Sequence, residues 1–130
     1  MPILNVKVSG KASPERSQII AHMLSHHTQD ILHKKPELTA ITINYIDPEH
    51  WFVGGQTLLT HNQSSVYMDI KVTDETNTKD EKAAYIQAVF KSFADILGGL
   101  HPESYIYVED VRAAAYGYGG LTQEYRYQHA

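Results

Sequence analysis

Apolar and polar residues alternate along three stretches of this chain. Leu4, Val6 and Val8 alternate with Asn5, Lys7 and Ser9, and Met68, Ile70 and Val72 and then Ile106 and Val108 repeat the pattern. That period is the mark of a half-buried strand. Between these runs the spacing changes: Ile20, Leu24, His27 and Ile31 share one helical face, as do Ile86, Phe90, Phe93 and Leu97. The first helix is predicted to begin at Ser13-Pro14, a cap residue followed by proline in the first turn. The second is predicted to begin at Thr78-Lys79-Asp80-Glu81, a capping box. A further strand is expected after each helix, over residues 39–46 and 105–111.

One pattern is thus written twice, offset by about 64 or 65 residues. Val6-Lys7-Val8-Ser9 is echoed by Ile70-Lys71-Val72-Thr73. Each half closes on an aromatic and glycine-rich turn, Trp51-Phe52-Val53-Gly54-Gly55 and Tyr116-Gly117-Tyr118-Gly119-Gly120. The predicted organisation is a single α/β domain over residues 1–130, made of two consecutive βαβ units (about 2–60 and 66–122) joined by a polar linker from His61 to Ser65. Two helices can cover only one face of the resulting four-stranded mixed sheet. Leu4, Val6, Val8, Met68, Ile70, Val72, Ile106 and Val108 are expected to point to that layer. The other face would carry Asn5, Lys7, Tyr67, Asp69, Lys71, Tyr105, Tyr107 and Glu109, polar and aromatic enough to be solvated or to line a wet subunit interface.

Composition narrows the functional classes. The 130 residues carry a net charge of -4 with mixed signs, which gives no basic footprint for nucleic acid. The absence of cysteine excludes disulfides, thiolate metal sites and cysteine nucleophiles. No apolar run reaches membrane-spanning length and no secretion signal opens the chain, so a cytoplasmic protein without membrane partners is expected. Eight histidines invite a metal reading, and His22, His26 and His33 are predicted to share a helical face. With no cysteine or inward carboxylate to complete a site, a solvated helix surface is preferred and no metal is expected. The glycines of residues 116–120 follow a strand without a helix or P-loop lysine after them, which suits a tight turn rather than a phosphate loop. Arg112 and Arg126 are either carboxylate ligands or surface charges. The tail from Gln123 to Ala130 either pairs at an edge or closes a pocket.

Pro2 is the residue with the most chemical potential. Loss of Met1 before a small second residue would leave a secondary amine at the start of a strand. An α-amino group titrates near 8 in general, and apolar walls or a neighbouring cation bring the free base within reach at neutral pH. The alternative is a proline that begins a strand only because no N–H is needed there.

The terminal proline, the duplicated βαβ unit and the glycine-rich closing turns together resemble the tautomerase superfamily, over nearly the whole chain. The first half is similar to 4-oxalocrotonate tautomerase, with its Pro2-Ile3 start, Ser13-initiated helix, Leu38-Thr39 strand entry and aromatic-Gly-Gly ending. The whole resembles macrophage migration inhibitory factor and the fused, double-length tautomerases, with Lys35-Pro36 and the stretch from Tyr105 to Thr122 in matching places. The resemblance implies a homotrimer with active sites between subunits, no cofactor, and a small 2-oxo or enol carboxylic acid interconverted by Pro2 acting as general base and acid. It implies a cation for the carboxylate, first Lys35, otherwise a solvated lysine at a helix end, with Lys11 as runner-up near the family's catalytic arginine. Tyr105 and Tyr107 would reach into a neighbouring pocket or pack an interface, and Trp51 would keep the proline dry or fill the core. Thr42 stands where the 4-oxalocrotonate enzyme has an arginine for a distal carboxylate, which puts a dicarboxylate substrate in doubt. Asp74 and Asn77 stand where the acrylate dehalogenases have arginines, which speaks against dehalogenation, and His27 lies one position from their helical histidine but on the apolar stripe, where a satisfied core histidine is preferred. Two alternatives stay open: a hydratase- or decarboxylase-like enzyme using protonated Pro2, and a non-catalytic trimeric binding protein.

Overall fold

The computed structural model describes residues 2–130; the question of Met1 removal falls outside the described residues. The first half runs β1 (Ile3–Ser9), α1 (Pro14–Asp30), β2 (Ala40–Ile46), a two-residue hairpin of β3 (Phe52–Val53) and β4 (Gln56–Thr57), and the short helix α2 (Leu58–His61). The second repeats it as β5 (Val66–Thr73), α3 (Lys79–Leu97), β6 (Tyr105–Val111), the hairpin of β7 (Gly117–Tyr118) and β8 (Leu121–Thr122), and α4 (Gln123–Gln128). The sheet order is β2-β1-β5-β6. Each βαβ unit supplies a parallel pair, and β1 and β5 join the units antiparallel, with Val6 opposite Met68.

The predicted caps start the helices. Ser13 accepts the Arg16 N–H ahead of Pro14, and Thr78 and Glu81 form a reciprocal capping box. Alternation along the strands sends Leu4, Val6, Val8, Met68, Ile70 and Val72 into full burial under the helices, with Ile106 and Val108 packed against them. From α1 come Ile20 and Leu24, and from α3 Tyr85, Val89 and Phe93. Burial of this order is large per residue: truncating Phe93 to alanine costs about 3–5 kcal/mol.

The predicted face of α3 needs correction. Ile86 is 38 % exposed and Phe90 only partly buried, whereas Tyr85 and Val89, one position earlier, face the sheet. Tyr85 is acceptable there because its hydroxyl lies 2.9 Å from Thr28 Oγ1, a polar pair closed between the two helices. Burial pushes the Tyr85 phenol up to about 12, against the effect of the Thr28 bond.

His33 is corrected as well. Helix α1 ends at Asp30, and His33 lies beyond it in a left-handed conformation (φ 60°). It therefore shares no helical face with His22 and His26, and instead sits 3.2 Å from Glu81. His61, expected in the linker, closes α2, and the linker proper is pinned by a bridge between Ser64 and Leu100. The tail, left open by the sequence, folds as α4.

Among the described residues no helix packs on the second sheet face. Lys71 pairs there with Asp69 at 2.8 Å and Glu109 at 3.4 Å, and Ile3, Tyr67, Tyr105 and Tyr107 stand exposed beside them. Among the described residues no helix is long and apolar enough to cross a membrane.

Candidate active site

Pro2 precedes β1 and is buried. Its carbonyl accepts the Ala40 N–H at 3.2 Å, which ties it to the first residue of β2. Because β5 runs antiparallel to β1, the end of β5 and the hairpin that follows β6 arrive at the same end of the sheet. Two cavities meet at Pro2. One, of about 600 Å³, is walled by Ile3, Leu38, Ala40, Tyr116 and Tyr118. The other, of about 700 Å³, brings in Lys34, Lys35, Gln123 and Arg126, with Asp74, Glu75 and Glu124 also on its wall.

The wall is built by local chemistry. Tyr116 places its hydroxyl 2.9 Å from Thr73 Oγ1 at the end of β5, and its carbonyl accepts the Gln123 N–H at 3.0 Å. The hairpin of β7 and β8 depends on its glycines. A Cβ on Gly117 would collide with the Leu121 carbonyl, and Gly119 has φ 61° with Arg126 Nη2 only 2.7 Å from where its Cβ would stand. Thr122 caps α4 by accepting the Tyr125 N–H. One turn further on, Arg126 donates from Nη2 to the Tyr118 carbonyl at 2.9 Å, with its guanidinium 3.9 Å from the centre of the Tyr118 ring.

The two lysines differ in setting. Lys35 is exposed, and its carbonyl accepts both the Leu38 N–H and the Thr39 hydroxyl. Lys34 is half-buried and donates to Thr76 Oγ1 at 2.8 Å; burial holds its ammonium below the usual lysine range, against the attraction of Glu81 and Asp110. The path that separates them is set by the left-handed His33, after which the Lys34 N–H reaches back to the Thr28 carbonyl at 3.2 Å.

The sequence-predicted residues divide into groups. Pro2 and Lys35 line one cavity. Trp51 and Tyr105 line another, of about 550 Å³, at the opposite end of the sheet, together with Phe52, Val53, Tyr67 and Glu103. There Tyr105 donates to Glu103 Oε2 at 2.7 Å, and that bond raises the phenol above its ordinary value. Tyr107 is exposed on the uncovered sheet face opposite Asp69. Lys11 is exposed beyond the far end of β1, on the order of 25 Å of extended chain from Pro2. Within one chain, then, the predicted residues occupy both ends of the sheet. Sequence reasoning passed over Lys34 and Gln123 and left Arg126 unplaced. Arg126 had a usable signal, since it follows the second closing turn at the spacing at which His61 follows the first; Lys34 had none that separated it from Lys35.

No family sequence model and no curated protein matches the chain. Solved structures do. An R7 fused 4-OT, solved as an asymmetric trimer, superposes with a TM-score of 0.83 at 18 % identity, covering 95 % of this chain and 98 % of that one. Pt0534 inactivated by 2-oxo-3-pentynoate gives 0.81 at 16 % identity over the same shares. A macrophage migration inhibitory factor-like protein from Entamoeba histolytica gives 0.76 at 17 %, covering 93 % and 97 %. Two βαβ units, one four-stranded mixed sheet and coverage of nearly the full length of each of these proteins make this the fold of the tautomerase superfamily.

Proposed function

We propose that the chain is a cofactor-independent tautomerase that interconverts the keto and enol forms of a small 2-oxo carboxylic acid. The observation that carries this reading is the place of Pro2, buried where an apolar cavity meets one lined by Lys34, Lys35 and Arg126. With Met1 removed, its secondary amine takes the hydroxyl proton of the enol, and the resulting pyrrolidinium returns a proton to the carbon beside the carbonyl. Atoms and charge balance, and no other reactant is consumed. A base works best when its pKa lies near the operating pH, and apolar surroundings disfavour the protonated form of an amine. A cation is needed where the carboxylate sits and negative charge develops on the enolate oxygen.

The same reading makes the protein a homotrimer. Trp51 and Tyr105 lie at the end of the sheet away from Pro2, so they reach a proline cavity only if that end of one subunit meets the Pro2 end of another. The aromatic, uncovered sheet face with Tyr67, Tyr105 and Tyr107 exposed is a surface suited to such assembly.

The test is ketonisation of phenylenolpyruvate and 2-hydroxymuconate by protein whose free Pro2 has been confirmed by mass, compared with Pro2→Ala. A loss of about 10²–10⁴-fold in kcat/KM is expected. Equal rates in the two proteins would refute the reading.

A further inference from the structure

Two buried donors in the wall beside Pro2 lack partners. Gln123 is only 9 % exposed, and its Nε2 is buried with no hydrogen bond; Arg126 Nε, on the next turn, is in the same position. Both side chains line the cavity shared by Pro2 and Lys35, and a spacing of three places them on one side of α4. Buried polar groups are normally paired, because an unpaired one costs stability.

The internal repeat shows that the fold does not demand these groups. In the first half Leu58 occupies the position of Gln123, directly after the matching hairpin and its threonine cap, and is fully buried. Apolar packing therefore suffices there. His61 occupies the position of Arg126, with Nε2 2.8 Å from the Val53 carbonyl, as Arg126 Nη2 is 2.9 Å from that of Tyr118. One nitrogen is enough to brace the hairpin. What the second half adds is an amide and a spare guanidinium N–H, carried by two side chains that line the cavity containing Pro2.

We propose that Gln123 and Arg126 form the recognition pair for a 2-oxo monocarboxylate, Arg126 Nε donating to the carboxylate and the Gln123 amide to the 2-oxo oxygen. The substrate class rests on the tautomerase reading. One carboxylate is the number this pair can hold, because Arg126 Nε is, among the described residues, the one buried guanidinium N–H left without a partner. A ligand so placed satisfies both orphaned donors.

The test is calorimetric binding of phenylpyruvate to the full chain with Met1 removed, in the parent protein and in Gln123→Leu, Arg126→Lys and Pro2→Ala, with melting temperatures for each. Gln123→Leu copies the first half of the chain and should melt at or above the parent temperature, yet bind phenylpyruvate about tenfold or more weakly. Arg126→Lys retains the charge but loses Nε, and should weaken binding similarly. Pro2→Ala should lose turnover of phenylenolpyruvate, and Gln123→Leu placed on it should weaken phenylpyruvate binding by the same factor as on the parent. Unchanged affinity in Gln123→Leu, or a parent protein that binds no phenylpyruvate, would overturn the recognition pair. Turnover that survives in Pro2→Ala would overturn the tautomerase reading instead, and the binding comparison decides the role of the pair in either case.

Discussion

The two ends of the sheet are built on one plan and carry different chemistry. At each end a strand begins beside an aromatic-glycine hairpin, a threonine caps a short helix, and a side chain on that helix reaches back to the hairpin carbonyl. At the β5 end the chain enters through Ser65, whose nitrogen is a peptide N–H held by Ser9 Oγ at 2.9 Å. Leu58 fills the helix position there, and Glu103 is the charged residue on the cavity wall. At the β1 end stands Pro2, with Gln123, Arg126, Lys34 and Lys35 around it. The fold is satisfied by either set. The polar set adds two buried donors without partners, Gln123 Nε2 and Arg126 Nε, which packing alone does not call for.

The largest way to break this contrast is to remove the amine. A Pro2→Leu protein that keeps Met1, as mass spectrometry would verify, has an amide nitrogen at both ends and should show no tautomerase turnover above the level of buffer. Rates within tenfold of the parent would mean that the amine is not what distinguishes the ends.

Exchange of the helix residues comes next. Leu58→Gln places an amide in a site that is 1 % exposed, and should cost about 3 kcal/mol in urea unfolding. Gln123→Leu should gain about 1 kcal/mol. Equal and opposite shifts would instead indicate that both positions are judged by packing alone.

The lysines give a smaller effect. Lys35 lines the Pro2 cavity while Lys11 stands at the other end of β1. Lys35→Met should therefore raise KM for phenylenolpyruvate about tenfold, and Lys11→Met should change it less. The reverse order would place the carboxylate at a Lys11 brought in by a neighbouring subunit.

Much of this plan is legible in the sequence where local rules act alone. Ser13-Pro14 and Thr78 start the helices as their cap chemistry dictates, and β6 spans Tyr105–Val111 as alternation predicts. Legibility fails where tertiary partners decide. Periodicity alone admits two neighbouring stripes on α3, and the one containing Tyr85 is chosen by a hydroxyl on another helix, Thr28. Helix α4 is polar and six residues long, with no apolar period to announce it; the carbonyls of Ala113 and Tyr116 hold its first turn. Lys34 and Lys35 differ only through the left-handed backbone at His33. The same holds for the site: Pro2 announces itself by position, while the residues around it are gathered by the meeting of β1, β5 and the second hairpin.

The smallest predicted effect lies where the two halves touch. His27 on α1 and Ser92 on α3 occupy matching positions of the repeat, and His27 Nε2 lies 2.8 Å from Ser92 Oγ. Burial lowers the His27 pKa from 6.5, the adjacent His26 lowers it further, and Asp30 opposes both. Because the folded value lies below the unfolded one, the unfolded chain takes up the proton first as pH falls. The His27 contribution to stability is therefore complete above 6.5 and is lost through the window below it, down to the folded pKa. His27→Gln should flatten the pH dependence of the melting temperature in that window and leave the ketonisation rate unchanged, since His27 lines neither cavity at Pro2. A melting curve that still falls with acid as steeply in His27→Gln would assign the pH sensitivity to another group. A fall in rate would mean that the contact between the halves, and not only the Pro2 end, governs the site.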